Sequence, residues 1–162
     1  MTLLGVKEST KDVDMLIPEV QEYDYVIKML KQLGYKSSSG SGWQRPGEVF
    51  TFDLFRGKSV HTTELLESPL EKENHVLIKE LTHIYIGVLN PYDLIVSKLF
   101  RGTHVDVDDC LMLFRAKHKD IKIDLLRDRY IETAKYDISE DKLIKAWEYY
   151  EQIFKKEEFN GK

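Results

Sequence analysis

Three aspartates, Asp12, Asp14 and Asp53, have the chemistry and the spacing of a divalent-metal site. Asp12 and Asp14 are one residue apart in the run DVDMLIP, and a strand points residues i and i+2 to the same face. Asp53 lies in a second β-forming run, FTFDLF, where an unpaired carboxylate is costly to bury. Three carboxylates from two strands supply the hard oxygen ligands that Mg²⁺ prefers. We predict that they bind Mg²⁺; the alternative is a solvated pair of acids at a strand entrance.

The elements that would position these acids alternate between strand and helix patterns. A helix is predicted over EVQEYDYVIKMLKQLGY, starting after Pro18 and ending at Gly34. The segment KSSSGSGWQRPG has a loop composition and predicts a mobile hairpin connection; a phosphate-binding role is less favoured because the Walker spacing is absent. EVFTFDLFRG predicts a strand, and HVLIKEL with THIYIGVL predicts a hairpin.

From Asn90 onward the pattern is helical. Asn90 suits an N-cap and Pro91 a first helical position. Further helices are predicted over DVDDCLMLFRAKH, over about residues 121–134 and from Ser139 onward. The last carries an apolar stripe made of Leu143, Ile144, Trp147, Tyr150 and Phe154. The predicted fold class is α+β, with a mixed β-sheet core and flanking helices over 1–89 and a helical C-terminal region over 90–162 packed on it.

The composition limits the function classes. Of 162 residues, 42% are hydrophobic, which is enough for a folded core, and the net charge of −4 disfavours a generic polyanion binder. The single cysteine, Cys110, excludes an intramolecular disulfide and fits a core position. The histidines lack zinc-ligand spacing. With no signal peptide and no run of roughly 18 apolar residues, we expect a cytoplasmic protein without a membrane partner.

The order STKDVDMLIP, helix, FTFDLF resembles the nucleotidyltransferase fold of the DNA polymerase β superfamily, in which a T-x-D-[IV]-D strand and a later strand carry the metal ligands. LNPYDLIVSKLFRGTHVDVDDCLMLF is similar to the helical segment of AbiEii-type toxin nucleotidyltransferases and their uncharacterised relatives. The resemblance implies nucleotide-binding roles for Thr10, Lys98 and Asp106, with Asp109 as the second acid of the family's helix-opening turn. Arg101 and His104 are further candidates for a phosphate contact. Without the resemblance, Lys98 is a solvent-facing lysine and the acids merely favour a helix start.

The resemblance implies a Mg²⁺-dependent nucleotidyltransferase that moves a nucleoside monophosphate from an NTP to RNA such as tRNA, to a protein or to a small acceptor. Asp12 and Asp14 would bind metal, and Asp53 would complete the catalytic site. One alternative is a degenerate, non-catalytic nucleotidyltransferase-like binding module, including one of a toxin–antitoxin type system. Another is a structural or regulatory protein that forms a homodimer through the apolar stripe of the last helix, although packing of that stripe within the chain is favoured.

The chain departs from the resembled family at one motif. The family's Gly-Gly or Gly-Ser motif lies about ten to thirteen residues before the first aspartate and holds the triphosphate with backbone amides. Counting back from Asp12 reaches or passes Met1, so this motif is expected to be missing from the printed residues. Three explanations are an upstream start, a degenerate inactive member, or a partner, including a second copy of this chain, that completes the site.

Overall fold

The computed structural model describes residues 1–8 and 12–160, apart from the side chains of residues 12 and 160. A short 3-10 helix, Thr2–Leu4, precedes the first strand. The strands are β1 Asp12–Ile17, β2 Lys36–Ser37, β3 Gly42–Gln44, β4 Thr51–Arg56, β5 Ser59–Val60, β6 Thr63–Glu64, β7 His75–Glu80 and β8 Tyr85–Leu89. The helices are α1 Val20–Gln32, α2 Pro91–Arg101, α3 His104–Ala116, α4 Ile123–Ala134 and α5 Glu140–Asn160.

A four-stranded mixed sheet positions the predicted acids. Its strand order is β1-β4-β3-β2; β1 and β4 are parallel, and the other two neighbouring pairs are antiparallel. A parallel pair needs a long crossover connection, and α1 lies within the one that joins β1 to β4. The predicted α+β fold with a mixed sheet and a helical C-terminal part is confirmed. The division at residue 89 stays a prediction.

The Gly/Ser-rich segment before β4 contains strands that its composition did not predict. It was predicted as a hairpin connection of loop composition, and β2 and β3 lie within it and pair as an antiparallel hairpin. Trp43 pairs with Phe52 of β4 and is only 8% exposed, so burial of a large aromatic side chain overrides the loop-forming composition around it. β4 itself begins at Thr51, later than predicted, and Val49 before it is exposed.

Two further hairpins stand apart from the main sheet. β7 pairs with β8, as predicted. β5 pairs with β6 through a turn that contains His61, whose φ of 52° is unusual for a residue other than glycine. This second hairpin was not predicted, because strands of two residues are too short to show a period.

The C-terminal helices enclose the main hydrophobic core. The predicted Asn90 cap is present, since its side chain accepts a hydrogen bond from the Asp93 amide; Thr103, which was not predicted as a cap, caps α3 through the Asp106 amide. Cys110 is fully buried, as predicted. The α5 stripe faces the chain's own helices, since Leu143, Trp147, Tyr150 and Phe154 are buried there while Ile144 is partly exposed. Most of this stripe is therefore packed within the chain, as the favoured alternative expects; dimerisation stays a prediction.

Helix α1 packs less tightly than its pattern predicts. None of its residues, all of which belong to the described part of the chain, is buried. Val20 is 49% exposed, and Leu33, directly after the helix, is 62% exposed. Across residues 1–8 and 12–160, no helix is long and apolar enough to cross a membrane.

A buried ion pair holds α2 against α4. Asp93 in the first turn of α2 is 1% exposed, and it accepts two hydrogen bonds of 2.8 Å from the Nε and Nη2 atoms of Arg129. Asn90 donates a third, of 2.8 Å, to the same carboxylate. Arg129 also lies 3.8 Å from Glu67, in the segment before β7. This network fixes the start of the helix that carries Lys98 and Arg101.

Candidate active site

The parallel pairing of β1 and β4 brings Asp14 and Asp53 together. They are direct register partners, and adjacent strands lie about 4.8 Å apart. Partners in a parallel pair lie on the same face of the sheet. Asp12 is in register with Thr51, and its side chain lies outside the described part of the chain. Thr10, the predicted nucleotide-binding threonine, also lies outside the described residues.

Asp53 is held by a neighbour from the Gly/Ser-rich segment. The Oγ atom of Ser41, in the turn before β3, donates a 2.7 Å hydrogen bond to Oδ1 of Asp53. Asp53 is partly exposed. The carboxylate is therefore oriented by one donor at the face of the sheet, and it remains accessible to a ligand.

Asp14 lies within a group of cationic and polar side chains. Its carboxylate is 48% exposed, and its Oδ2 is 3.6 Å from Nε2 of His61. The pKa of Asp14 lies below its usual range, chiefly because of the polar contact with His61, helped by the positive charges of Arg101 and Lys98, which together outweigh its burial. Asp14 is therefore ionised at neutral pH and able to act as a ligand for a cation.

His61 connects Asp14 to the helical half. Its Nε2 atom lies 2.9 Å from Nη1 of Arg101 at the end of α2, and its ring packs edge-on against Phe55 with a centroid distance of 4.5 Å. Its positive φ costs about 1–3 kcal/mol unless the surroundings hold it. The Phe55 and Arg101 contacts supply that support. Sequence reasoning missed His61 because it depends on a contact between residues 40 positions apart.

Lys98 and Arg101 are anchored by two acids of α3. Asp106 is buried; it accepts a hydrogen bond of 2.7 Å from Thr103 Oγ1 and one from Arg101 Nη2. Lys98 donates a 2.9 Å hydrogen bond to Asp109 and lies 3.8 Å from Asp106. Only 15% of the Lys98 side chain is exposed, so it is not the solvent-facing lysine that the helix pattern alone predicts.

Lys7 joins this cluster from the start of the chain. Its Nζ atom lies 2.5 Å from Oδ1 of Asp109. Burial would raise the pKa of Asp109, but the hydrogen bonds from Lys7 and Lys98 and their charges outweigh it and lower the pKa. His104, the other phosphate candidate, is 90% exposed and pairs only with Asp108. Lys98 and Arg101 are therefore among the cations near Asp14, while Lys7 is held at Asp109.

The described residues fit part of the expected metal site. No group of three or more His, Cys, Asp or Glu side chains in residues 1–8 and 12–160 is arranged to hold a metal ion, but the predicted group includes the Asp12 side chain, which lies outside the described part. Asp14 and Asp53 are adjacent carboxylates on one face, which are the oxygen ligands that Mg²⁺ prefers. The donor set therefore suits Mg²⁺, and the role of Asp12 in it stays a prediction.

Asp109→Asn should destabilise the protein at pH 7 by about 1–3 kcal/mol, because Lys7 and Lys98 lose the charged partner that they share. The folded-state pKa of Asp109 is lowered, so its stabilising effect is full above the unfolded pKa of about 3.9 and is lost as the pH falls through the folded value. The variant should therefore lose less stability than wild type as the pH falls below about 4. Urea unfolding from pH 7 to pH 2 measures both effects.

Asp108→Asn is the matched control for this prediction, since Asp108 is on the same helix and its side chain is 59% exposed. Its unfolding free energy at pH 7 should stay within about 0.5 kcal/mol of wild type. If the unfolding free energy of Asp109→Asn had the same pH dependence as that of wild type, the pairing of Asp109 with Lys7 and Lys98 would not stabilise the fold.

Comparisons with known proteins bear on this arrangement. A family model described as "Nucleotidyltransferase of unknown function (DUF6036)" matches residues 3–157, which is nearly the whole chain. No curated protein and no solved structure shows a significant match. The matched segment contains β1 and β4, with Asp14 and Asp53, and both helices of the Lys98 cluster. The chain therefore belongs to the DUF6036 family, a family of nucleotidyltransferases of unknown function.

Proposed function

We propose that the protein is a Mg²⁺-dependent nucleotidyltransferase that transfers a nucleoside monophosphate from an NTP to an acceptor hydroxyl. One observation carries the proposal: Asp14 and Asp53 are register partners on parallel strands, and the charges of Lys98 and Arg101 act on Asp14. Carboxylates beside cations are what a site for a metal-bound polyphosphate requires. Membership of a nucleotidyltransferase family supports the same reaction class.

Each residue of the cluster has a role in this proposal. Asp12, Asp14 and Asp53 would hold Mg²⁺, which supplies electrostatic stabilisation of the charge on the transferring phosphoryl group. Asp53, oriented by Ser41, would accept the proton of the attacking hydroxyl. Lys98 would bind phosphate oxygens, together with Arg101. Asp106 contacts both cations and would fix their positions.

The acceptor and the biological setting extend the proposal. RNA such as tRNA, a protein or a small molecule each offers a hydroxyl for transfer. On the resemblance of the helical segment to AbiEii-type toxins, we include a toxin–antitoxin system among the proposed settings. The proposal includes a partner, for example a second copy of this chain, that contributes residues of its own to the triphosphate site.

A second candidate function is a non-catalytic binding module. It is favoured by the way the charged groups already pair: Asp14 lies beside His61, Asp53 accepts from Ser41, and Lys98 donates to Asp109. A module of this kind needs no metal to balance its acids. The two functions differ in whether Mg²⁺ and an NTP bind.

Incubation of the purified protein with α-phosphate-labelled NTPs and Mg²⁺, alone and with tRNA, tests the first function. Transfer of label to tRNA or to the protein itself is the expected result. Calorimetric titration with Mg²⁺ and with each NTP, done in parallel, measures binding independently of the acceptor. No binding of metal or NTP, together with no labelling, would exclude the enzyme and leave the binding module.

A further inference from the structure

A small pocket adjoins the candidate active site on the far side of His61. Hairpin β5–β6 and the connection between α4 and α5 form its walls, and its volume is about 220 Å³. His61 lines it and also lies 3.6 Å from Asp14, so a molecule in the pocket is one side chain away from the acids. Pockets for whole small molecules are typically about 300–1,000 Å³. This one therefore suits a part of a substrate rather than all of it.

The lining of the pocket combines aromatic and hydrogen-bonding groups. Phe100 forms part of the wall, and Tyr136 is 70% exposed, so its ring is accessible to a stacking partner. Thr63 is 1% exposed, and its Oγ1 atom has no hydrogen-bond partner among the described residues. Buried polar groups are nearly always paired, so this hydroxyl calls for a water or a ligand atom.

The charges of the lining exclude phosphate from this pocket. Glu64 and Asp137 line it, and none of its described lining residues is a lysine or arginine. Glu64 lies 3.7 Å from Lys58, and Asp137 accepts a hydrogen bond from the Ser139 amide, so both acids are oriented by neighbours. Such a lining repels an anion and attracts N–H and O–H donors. The cations that suit phosphate, Lys98 and Arg101, act on Asp14 and do not line the pocket, and Arg101 contacts His61 between them.

We propose that this pocket binds the nucleoside part of the NTP. The inference rests on the proposed function and names where its substrate's base and ribose lie. A nucleotide has an anionic phosphate end and a neutral, planar, hydrogen-bonding base. Arg101, which contacts His61, suits the phosphates, and the pocket that His61 lines suits the base. Stacking on Tyr136 binds any base, whereas the carboxylates favour bases with an amino group, such as adenine, over uracil.

Tyr136→Ala should weaken the binding of adenosine and of ATP by at least about fivefold, because base stacking on an aromatic side chain is lost. Binding of inorganic triphosphate should not change, and wild type should bind adenosine more tightly than uridine. Ligand-observed NMR suits the nucleosides, and calorimetry suits ATP and triphosphate. Tyr149→Ala is the matched control, since Tyr149 is 61% exposed on α5 and does not line this pocket.

Thr63→Val is a second variant that keeps the shape of the side chain and removes the unpartnered hydroxyl. The folded protein should be at least as stable as wild type, because a buried unpaired polar atom is lost. Its affinity for adenosine should fall several-fold, and Thr63→Ser should restore it.

The outcomes separate this inference from the proposed function. If ATP binds but Tyr136→Ala and Thr63→Val both bind it like wild type, the pocket is not the nucleoside site while the function stands. If Tyr136→Ala weakens adenosine binding, but neither ATP nor triphosphate binds to wild type more tightly than adenosine does, the pocket assignment holds. The nucleotidyltransferase proposal then fails. No adenosine binding to wild type would overturn the pocket assignment.

Discussion

Arg129→Met is expected to lower the free energy of unfolding by about 3–5 kcal/mol, because it leaves a buried carboxylate without its ionic partner. Asp93 is 1% exposed and receives both guanidinium hydrogen bonds, each of 2.8 Å, from this one side chain. Water cannot replace the lost partner at so little exposure. Urea unfolding of wild type and variant measures the difference.

Two further proteins make this result interpretable. Arg127→Met changes an exposed arginine on the same helix and should shift stability by no more than about 0.5 kcal/mol. The double variant Asp93→Asn with Arg129→Met removes both charges and should recover part of the loss. A loss under about 1 kcal/mol for Arg129→Met would show that the network contributes little.

This ion pair also has a functional consequence. Asp93 lies in the first turn of α2, and Lys98 and Arg101 lie in the following turns of the same helix. Arg129 therefore fixes the helix that presents both cations toward Asp14. A protein that loses Arg129 but stays folded should retain Mg²⁺ binding at the aspartates while it binds triphosphate less tightly.

Local sequence signals predicted the elements that carry the site. The D-x-D and FTFDLF runs show strand alternation over several residues, and β1 and β4 occupy them. Asn90 followed by Pro91 marks a helix start that needs no tertiary contact, and the structure has that start. The α5 stripe likewise has the period of a core-facing helix, and most of it is buried.

Local sequence patterns could not predict the contacts between these elements. The pairing of Asp14 with Asp53 depends on the register between strands about forty residues apart. Lys7 reaches Asp109 across an even longer separation, and His61 reaches Arg101. Neither hydrophobic periodicity nor a helix-capping residue indicates such pairs, because they form only when the sheet packs against the helical half. Sequence, with the resemblance, could therefore name the acids and the cations Lys98 and Arg101, while the contacts that each of them makes required the fold.

Asp14→Asn and Asp53→Asn are each expected to reduce nucleotidyl transfer by about a thousandfold or more, since loss of a metal-ligating charge costs several kcal/mol of transition-state stabilisation. The substitution keeps the size of the side chain and removes its charge. Asp14→Asn should lower stability modestly without Mg²⁺, because the lost charge interacts favourably with His61, Arg101 and Lys98 and its pKa is lowered in the fold. Labelled-NTP transfer assays measure the first effect.

Thermal unfolding with and without Mg²⁺ separates an enzyme from a binding module. A metal present at 100 times its dissociation constant stabilises the native state by about 2.7 kcal/mol, so wild type should melt higher with Mg²⁺ and Asp14→Asn should not. Asp108→Asn, whose exposed carboxylate lies on α3, should respond to Mg²⁺ like wild type. A different result is that Mg²⁺ leaves the melting temperature of wild type unchanged and Asp14→Asn is the more stable protein. The two acids then repel each other and bind no metal. The non-catalytic module is then the correct function, because the pairing of β1 with β4 brings the two carboxylates together and no metal ion is shared between them.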